Sequence, residues 1–190
     1  MEPGSVPAPI LWRRLDLPGH DAASLQVGAR GAVLSGMAVF RENGPTALAY
    51  LVHADHEWKT TEGRVWGWHG RRAIELRLHR DAAGIWTMNG ASCPGVEGCV
   101  DLDLSFTPAT NLLPLRRLSL GVGESAEVRS AWLEWPEVRL TELVQRYSRR
   151  TETEYDYESD LPGGERFRST LRVQPQGWVV DYAGLWRAEE

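Results

Sequence analysis

The chain has 190 residues, of which 42% are apolar and 25% are charged, with a formal net charge of −5 at pH 7. This composition is typical of a globular protein and excludes a disordered or fibrous chain, and the length suits a single domain with a substantial core. Arginine supplies 20 of the 21 basic residues, but these are scattered among 26 acidic residues, so we expect no nucleic-acid partner.

The beginning of the chain and its apolar runs bear on localisation. The first residues, MEPGSVPAPILWRR, contain neither a basic leader nor the apolar run of a secretory signal. Residues 31–40 form the most apolar long window, which is far shorter than the roughly 20 residues of a membrane-spanning helix. We therefore expect a cytoplasmic protein with no integral membrane segment. In that compartment Cys93 and Cys99 are predicted to be free thiols.

Domain organisation is predicted to be simple. Residues 1–9 contain three prolines and are expected to form a flexible N-terminal tail. No break in composition follows, so residues 10–190 are predicted to form one domain.

Alternation of apolar and polar residues predicts strands along most of the chain. RAIELRLHR, for example, places Ile74, Leu76 and Leu78 on one face, and TETEYDYE places Tyr155 and Tyr157 on one face. Turn sequences such as RENGP and QPQG separate the strands, as in antiparallel hairpins. The other predicted strands cover residues 12–15, 33–40, 46–54, 65–68, 85–88, 100–106, 116–120, 127–135, 167–173 and 178–182.

One segment, PEVRLTELVQRYS from Pro136, is compatible with two structures. Leu140, Leu143, Val144 and Tyr147 have helical spacing, and Pro136 is suited to the first turn of a helix. A strand through Val138, Leu140 and Val144 competes with this interpretation. The residues alone leave both alternatives open.

Two local motifs resemble a metal site or a cofactor site, but a structural explanation is favoured for both. VHADHEW holds His53, Asp55, His56 and Glu57 within five residues, but no second ligand pair supports a metal, and a polar loop is favoured. GVGESA, which begins at Gly121, resembles a dinucleotide-binding turn, but a strand-like sequence follows where a helix is required. We therefore predict no metal and no cofactor.

The segment VDLDLSF places two carboxylates in a predicted strand. Asp101 and Asp103 share one face, and same-face neighbours on a strand lie about 6.6 Å apart. That spacing falls near the carboxylate separation of glycoside hydrolases, although a solvated strand face has it too. A loop with Asn111 follows, and then the pair Arg116 and Arg117.

This region also carries a resemblance to a known family. The run GCVDLDLSFTPATNLLPLRRLSL, together with WRRLDLPGHD, YLVHADHEWKT, QRY and DYAGLWR, resembles the family named "Putative glycolipid-binding", and the likeness extends from Trp12 to Arg187. The resemblance implies an all-β, mainly antiparallel fold, a spiral β-roll or half-barrel of many short strands with little helix. It favours the strand alternative for the segment after Pro136, as a long strand that runs into TETEYDYE.

The function that the resemblance implies is non-enzymatic binding of a glycolipid or another amphiphile in an apolar cavity, and it supplies no catalytic residue. Tryptophan occurs nine times, and its rings fill cores but also line concave apolar sites. The polar candidates at the mouth of the cavity also fit a structural Asp–Arg network that joins strands. The candidate ligand-binding residues are Tyr50, Trp66, Trp68 and Trp86 for the walls, and Asp101, Asp103, Asn111, Arg116 and Arg117 for the polar groups.

Two alternatives stay open. The first is a hydrolase that acts on a sugar or lipid ester, with Asp101 and Asp103 as acid and base; it requires both carboxylates in one cleft. The second is a protein-interaction module, which would show an exposed apolar patch and no cavity.

Overall fold

The computed structural model describes residues 8–161 and 163–189, so the predicted tail lies outside the described residues except for Ala8 and Pro9. The strands are β1 (Ile10–Arg14), β2 (Gly19–Gly28), β3 (Gly31–Arg41), β4 (Pro45–Ala54), β5 (Thr60–His69), β6 (Arg72–Arg80), β7 (Trp86–Met88), β8 (Ala91–Ser92), β9 (Asp101–Leu104), β10 (Ser125–Glu134), β11 (Arg139–Arg149), β12 (Glu154–Asp160), β13 (Arg166–Val173), β14 (Val179–Tyr182) and β15 (Trp186–Glu189). The helices are a 3₁₀ turn, Ala109–Asn111, and α1 (Leu112–Leu118).

All strands of the described residues belong to one sheet, which confirms the predicted all-β, mainly antiparallel class. Its order is β8-β7-β6-β5-β4-β3-β2-β1-β15-β14-β13-β12-β11-β10-β9. Successive hairpins build each half, and β1 joins the two halves by pairing with β15. The indole Nε1 of Trp12 on β1 donates a hydrogen bond of 2.6 Å to the carbonyl of Val179 on β14, which strengthens this central junction.

The sheet rolls up so that β9 lies inside, as the spiral β-roll requires. β9 pairs in parallel with β10, and its apolar side chains, Leu102 and Leu104, are buried. Leu102 packs against β5 so tightly that a Cβ atom on Gly63 would lie 2.4 Å from its Cδ2 atom. Strands from the two halves of the sheet are therefore in direct contact.

The backbone groups of β9 have hydrogen-bond partners along both edges of the strand. On the side away from β10, the amide of Thr60 donates to the carbonyl of Val100 at 2.9 Å. The hydroxyl of Thr60 accepts from the amide of Leu102 at 3.1 Å, and the hydroxyl of Thr110 accepts from the amide of Leu104 at 3.3 Å. Buried backbone groups without hydrogen-bond partners cost free energy. The hydrogen bonds of these threonines offset that cost for β9.

The strand predicted at residues 116–120 is wrong, since α1 covers most of it. Leu112, Leu113 and Leu115 are buried together, and Pro114 lies in the first helical turn, where an amide has no partner in the helix. The helix ends at Ser119, which has a left-handed conformation.

Two further segments differ from expectation. The segment after Pro136 forms β11, a strand, so the helical alternative is wrong; four residues, 150–153, separate it from β12. The sequence analysis missed β2, whose small and polar residues alternate weakly, but which is hydrogen bonded along both edges by β1 and β3. Within the described residues, no helix is long and apolar enough to cross a membrane.

The role of Thr60 can be tested by Thr60→Val, which keeps the shape of the side chain and removes the hydroxyl. The amide of Leu102 then loses its acceptor while it stays buried, so the free energy of unfolding should fall by about 1–3 kcal/mol. Urea denaturation measures the change. Thr170→Val on β13 is the matched control, since Thr170 is exposed and the substitution should change stability by less than about 0.5 kcal/mol. Equal effects of the two substitutions would contradict the role assigned to Thr60.

Candidate functional site

A cavity of about 170 Å³ lies inside the C-terminal half of the roll. Its polar lining comes from β9, the following loop and the strands opposite them, and its apolar lining is rich in leucine and aromatic residues. The lining residues are Asp103, Leu104, Ser105, Thr107, Asn111, Trp132, Leu143, Tyr157, Ser159, Leu161, Phe167, Tyr182, Leu185 and Trp186.

Asp103 is the charged residue of this lining. The side-chain amide of Gln145 donates to its Oδ2 atom at 2.5 Å, and the Thr110 hydroxyl donates to Oδ1 at 3.5 Å. Burial raises the pKa of Asp103 to about 6, although both hydrogen bonds oppose the rise. Asp103 is thus ionised at neutral pH and becomes protonated under mildly acidic conditions.

Gln145 on β11 orients the polar wall of the cavity. Its Oε1 atom accepts from the hydroxyl of Ser130 at 2.8 Å, and its Nε2 atom donates to Tyr157 Oη at 2.9 Å as well as to Asp103. With both donors and the acceptor in use, the orientation of the amide is fixed. The sequence analysis missed Gln145, because nothing distinguishes it within PEVRLTELVQRYS.

Three buried tyrosines pack beside this network. Tyr157 makes edge-to-face contacts with Tyr147 and Tyr182, with ring centroids 5.2 and 5.6 Å apart. The hydroxyl of Tyr147 donates to Oδ1 of Asn111 at 2.8 Å, which holds the Asn111 side chain at the cavity. Burial raises the pKa of all three tyrosines, so they act as neutral hydroxyl groups.

A second buried carboxyl group, Asp21 on β2, lies behind the cavity wall at Thr107. The hydroxyl of Tyr50 donates to its Oδ2 atom at 2.9 Å, and the Thr107 hydroxyl donates to the same oxygen. Burial raises the pKa of Asp21 to about 6. The ring of Tyr50 lies across Gly36, where a Cβ atom would be 2.2 Å from the tyrosine hydroxyl. The sequence analysis did not single out Asp21, because a lone aspartate in a weakly patterned segment gives no signal.

Asp101, the other carboxylate of β9, is buried in an ion pair with Arg117 of α1. Two guanidinium nitrogens of Arg117 donate to the two carboxylate oxygens. Burial raises the pKa of Asp101, and the ion pair with Arg117 opposes that rise. Arg116 contacts a different part of the protein. Its guanidinium carbon lies 5.2 Å from the centroid of the Trp58 ring, and its guanidinium group donates a hydrogen bond of 2.5 Å to the carbonyl of Gln176.

None of the four predicted wall residues lines this cavity. Tyr50 and Trp66 instead line a second pocket together with Ala22, Met37 and Ala49. Trp66 and Trp68 are on the outer face of β5, where Trp68 is 45% exposed and Arg64 stacks on Trp66 at 4.9 Å. Trp86 is buried and donates to the carbonyl of Cys99 at 2.9 Å. Of the nine candidate residues from the sequence, the structure therefore brings Asp103 and Asn111 together at the cavity.

Paired carboxylates are not found at this cavity, because Asp103 lines it and Asp101 does not. In residues 8–161 and 163–189, no group of three or more histidine, cysteine or acidic residues is arranged to hold a metal. Asp55 of the VHADHEW motif instead accepts hydrogen bonds from the backbone amides of Glu57 and Lys59. Cys93 and Cys99 are free thiols, as predicted.

Comparison with known proteins shows the family of this chain. A family model with the description "Putative glycolipid-binding" matches residues 9–188. The chain belongs to this family. The resemblance noted in the sequence is thereby confirmed. A DUF1089 family protein from Pseudomonas aeruginosa, whose crystal structure was determined at 1.80 Å resolution, is 29% identical and superposes with a TM-score of 0.75. The match covers 88% of this chain and 91% of that protein. A search of curated proteins gave no match.

The raised pKa values of the buried aspartates predict a pH dependence of stability. Between the ordinary value of 3.8 and about 6, the unfolded chain has released the proton of Asp103 while the folded chain still holds it. The contribution of this group to the free energy of unfolding is therefore fully present below pH 4. It is lost as the pH rises to 6, and the loss is as much as about 3 kcal/mol. Asp103→Asn should remove this part of the slope in urea denaturation series.

The exposed Asp160 supplies the control for that series. Asp160→Asn should keep the slope of the native protein between pH 4 and 6, and Asp21→Asn should flatten it as Asp103→Asn does. Identical slopes in all four proteins would show that neither buried carboxyl group has a raised pKa.

Removal of Arg117 tests the structural role of its ion pair. Arg117→Met leaves the carboxylate of Asp101 buried without its partner, so the free energy of unfolding should fall by about 3 kcal/mol or more. The double substitution Asp101→Asn with Arg117→Met should recover part of the loss. In the exposed pair of Arg166 and Asp160, where both side chains are more than half exposed, Arg166→Met should cost less than about 1 kcal/mol. Comparable costs at the two sites would contradict the assignment.

Proposed function

We propose that the protein binds a glycolipid through its sugar head group, which occupies the cavity beside Asp103. The observation that carries this proposal is the combination of a polar hydrogen-bonding wall with aromatic rings in a space of about 170 Å³. In another protein, a cavity of about 150 Å³ holds one benzene ring. The volume therefore suits one six-membered sugar ring and is too small for a whole lipid.

The polar wall matches the hydroxyl groups of a sugar. The carboxylate of Asp103 accepts hydrogen bonds, the amide of Asn111 both donates and accepts, and the hydroxyl oxygen of Thr107, whose hydrogen is donated to Asp21, accepts. Their protein partners hold these groups in place before a ligand arrives: Gln145 for Asp103 and Tyr147 for Asn111. Preorganised groups lose less conformational entropy on binding, which supports recognition of a defined ring.

The apolar part of the lining suits the remainder of an amphiphile. Leu161, Phe167 and Leu185 are only partly buried, and Trp132 beside them is also partly exposed. These side chains offer an apolar path from the sugar ring toward solvent for the first methylenes of a lipid tail. The description of the family names the same class of ligand.

The test is titration with octyl glucoside below its critical micelle concentration at neutral pH, followed by calorimetry. We expect saturable binding with one site, and no comparable binding of octanol, which lacks the sugar. Asp103→Asn should weaken binding by about tenfold or more, since a hydrogen bond to a charged group contributes about 1.5–3 kcal/mol.

Asp160→Asn is the matched control and should bind as the native protein does. Native mass spectrometry of the purified protein should also reveal any lipid carried from the cell. Absence of binding across a panel of alkyl glycosides with different sugars, or binding that Asp103→Asn leaves unchanged, would overturn the proposal.

A further inference from the structure

The outer face of the N-terminal half carries exposed apolar side chains in two adjacent rows. In the first row, Leu11, Met37 and Trp66 alternate across β1, β3 and β5 with the small residues of β2 and β4 between them. In the second row, Val39 and Trp68 are aligned in the same way. Leu11, Met37, Val39 and Trp68 are between 43% and 55% exposed. We call these five residues the apolar outer face.

The charges that border this face are unequal. Glu75 lies 3.0 Å from a guanidinium nitrogen of Arg64 and 3.7 Å from one of Arg77, so two arginines share one carboxylate. Arg13 and Arg41 also lie on this side of the sheet, next to the two rows. Arg13, Arg41, Arg64 and Arg77 thus outnumber the two glutamates whose residues pair with the face, Glu75 opposite Trp66 and Glu189 opposite Leu11. The border is positive although the whole chain has a net charge of −5.

The area of this face distinguishes between a second protein and a lipid bilayer as the partner that covers it. Five strands about 4.8 Å apart and two rows about 7 Å apart give an area of roughly 300 Å². A stable protein interface buries about 800 Å² on each partner, so this face is too small for a dimer by itself. Shallow contact with a lipid bilayer needs no such area, since tryptophan and flanking arginines suit the bilayer interface.

We propose that the apolar outer face docks on the surface of an anionic phospholipid bilayer. Met37, Val39 and Trp68 enter the interfacial region, and Arg13, Arg41 and Arg64 contact the lipid phosphates. Arg64 already lies over the ring of Trp66, so its charge stays at the level of the head groups while the ring contacts acyl chains. Docking does not depend on the ligand of the cavity, but it would bring the protein to the place where glycolipids reside.

Pelleting with sucrose-loaded vesicles tests the proposal independently of the glycolipid site. The vesicles contain phosphatidylcholine and phosphatidylglycerol at about two to one, with no glycolipid, so that failure of the cavity proposal leaves this result unaffected. The native protein should bind them. The double substitution Met37→Gln with Trp68→Gln should weaken partitioning by about tenfold or more, because two apolar side chains are lost from the contact.

Ile85→Gln with Val122→Gln is the matched control, since these side chains are 47% and 52% exposed and lie elsewhere; it should bind as the native protein does. Glu75→Gln should strengthen binding to the anionic vesicles by about fivefold and leave binding to pure phosphatidylcholine unchanged. A gain of this kind cannot come from misfolding.

Three results would overturn the proposal. The first is absence of vesicle binding by the native protein. The second is an equal loss in the control variant. The third is a concentration-dependent dimer in analytical ultracentrifugation that the substitutions at Met37 and Trp68 abolish, because the occupant of the face would then be a second copy of the chain.

Discussion

The internal position of β9 is the constraint on which the rest of the structure depends. A strand at the end of a sheet exposes one row of backbone groups, and burial of that row in a rolled sheet is costly unless partners are supplied. Thr60 and Thr110 supply them through their hydroxyl groups, and the amide of Thr60 adds a third hydrogen bond. The roll can therefore close on β9, and the packing of Leu102 against Gly63 fixes how far the two halves of the sheet approach each other.

Placement of β9 inside the roll determines the environment of its two carboxylates. Leu102 faces β5, so Asp101 and Asp103 lie on the opposite face of the strand. The negative charge of Asp101 is compensated by the positive charge of Arg117. Asp101 does not line the cavity. Asp103 is held by neutral donors, which offset less of the cost of burial, and its pKa is about 6. The same strand thus provides one carboxylate for the structure and one for the cavity.

The sequence allowed the fold class to be predicted, but only part of the site. Alternation shows which residues share a face of a strand, and it places Asp101 and Asp103 on one face of β9, as the structure does. It does not show which face lines a cavity, because both faces of a strand inside a roll are buried. Trp66 and Trp68, which the sequence predicts as wall residues, lie on the outer face of β5 and do not line the cavity beside Asp103. Gln145 and Tyr157 reach the site through pairings that are distant in sequence, and local patterns carry no information about such pairings.

The distribution of polar and apolar side chains is the reverse of what stability alone would favour. Carboxyl groups, amides and tyrosine hydroxyls are buried around the cavity, while Met37, Val39 and Trp68 are exposed on the outer face. Each arrangement costs free energy relative to the simpler alternative of a leucine core and a polar surface. Positions where a sequence departs from locally favourable choices are expected at functional sites. The two departures lie in different halves of one sheet, since the cavity is lined by residues 103–186 and the apolar outer face by β1, β3 and β5. Strand β2 connects them, because Asp21 points inward from it and accepts a hydrogen bond from Thr107 of the cavity lining, while Ala22 lies in the row of Leu11 and Met37.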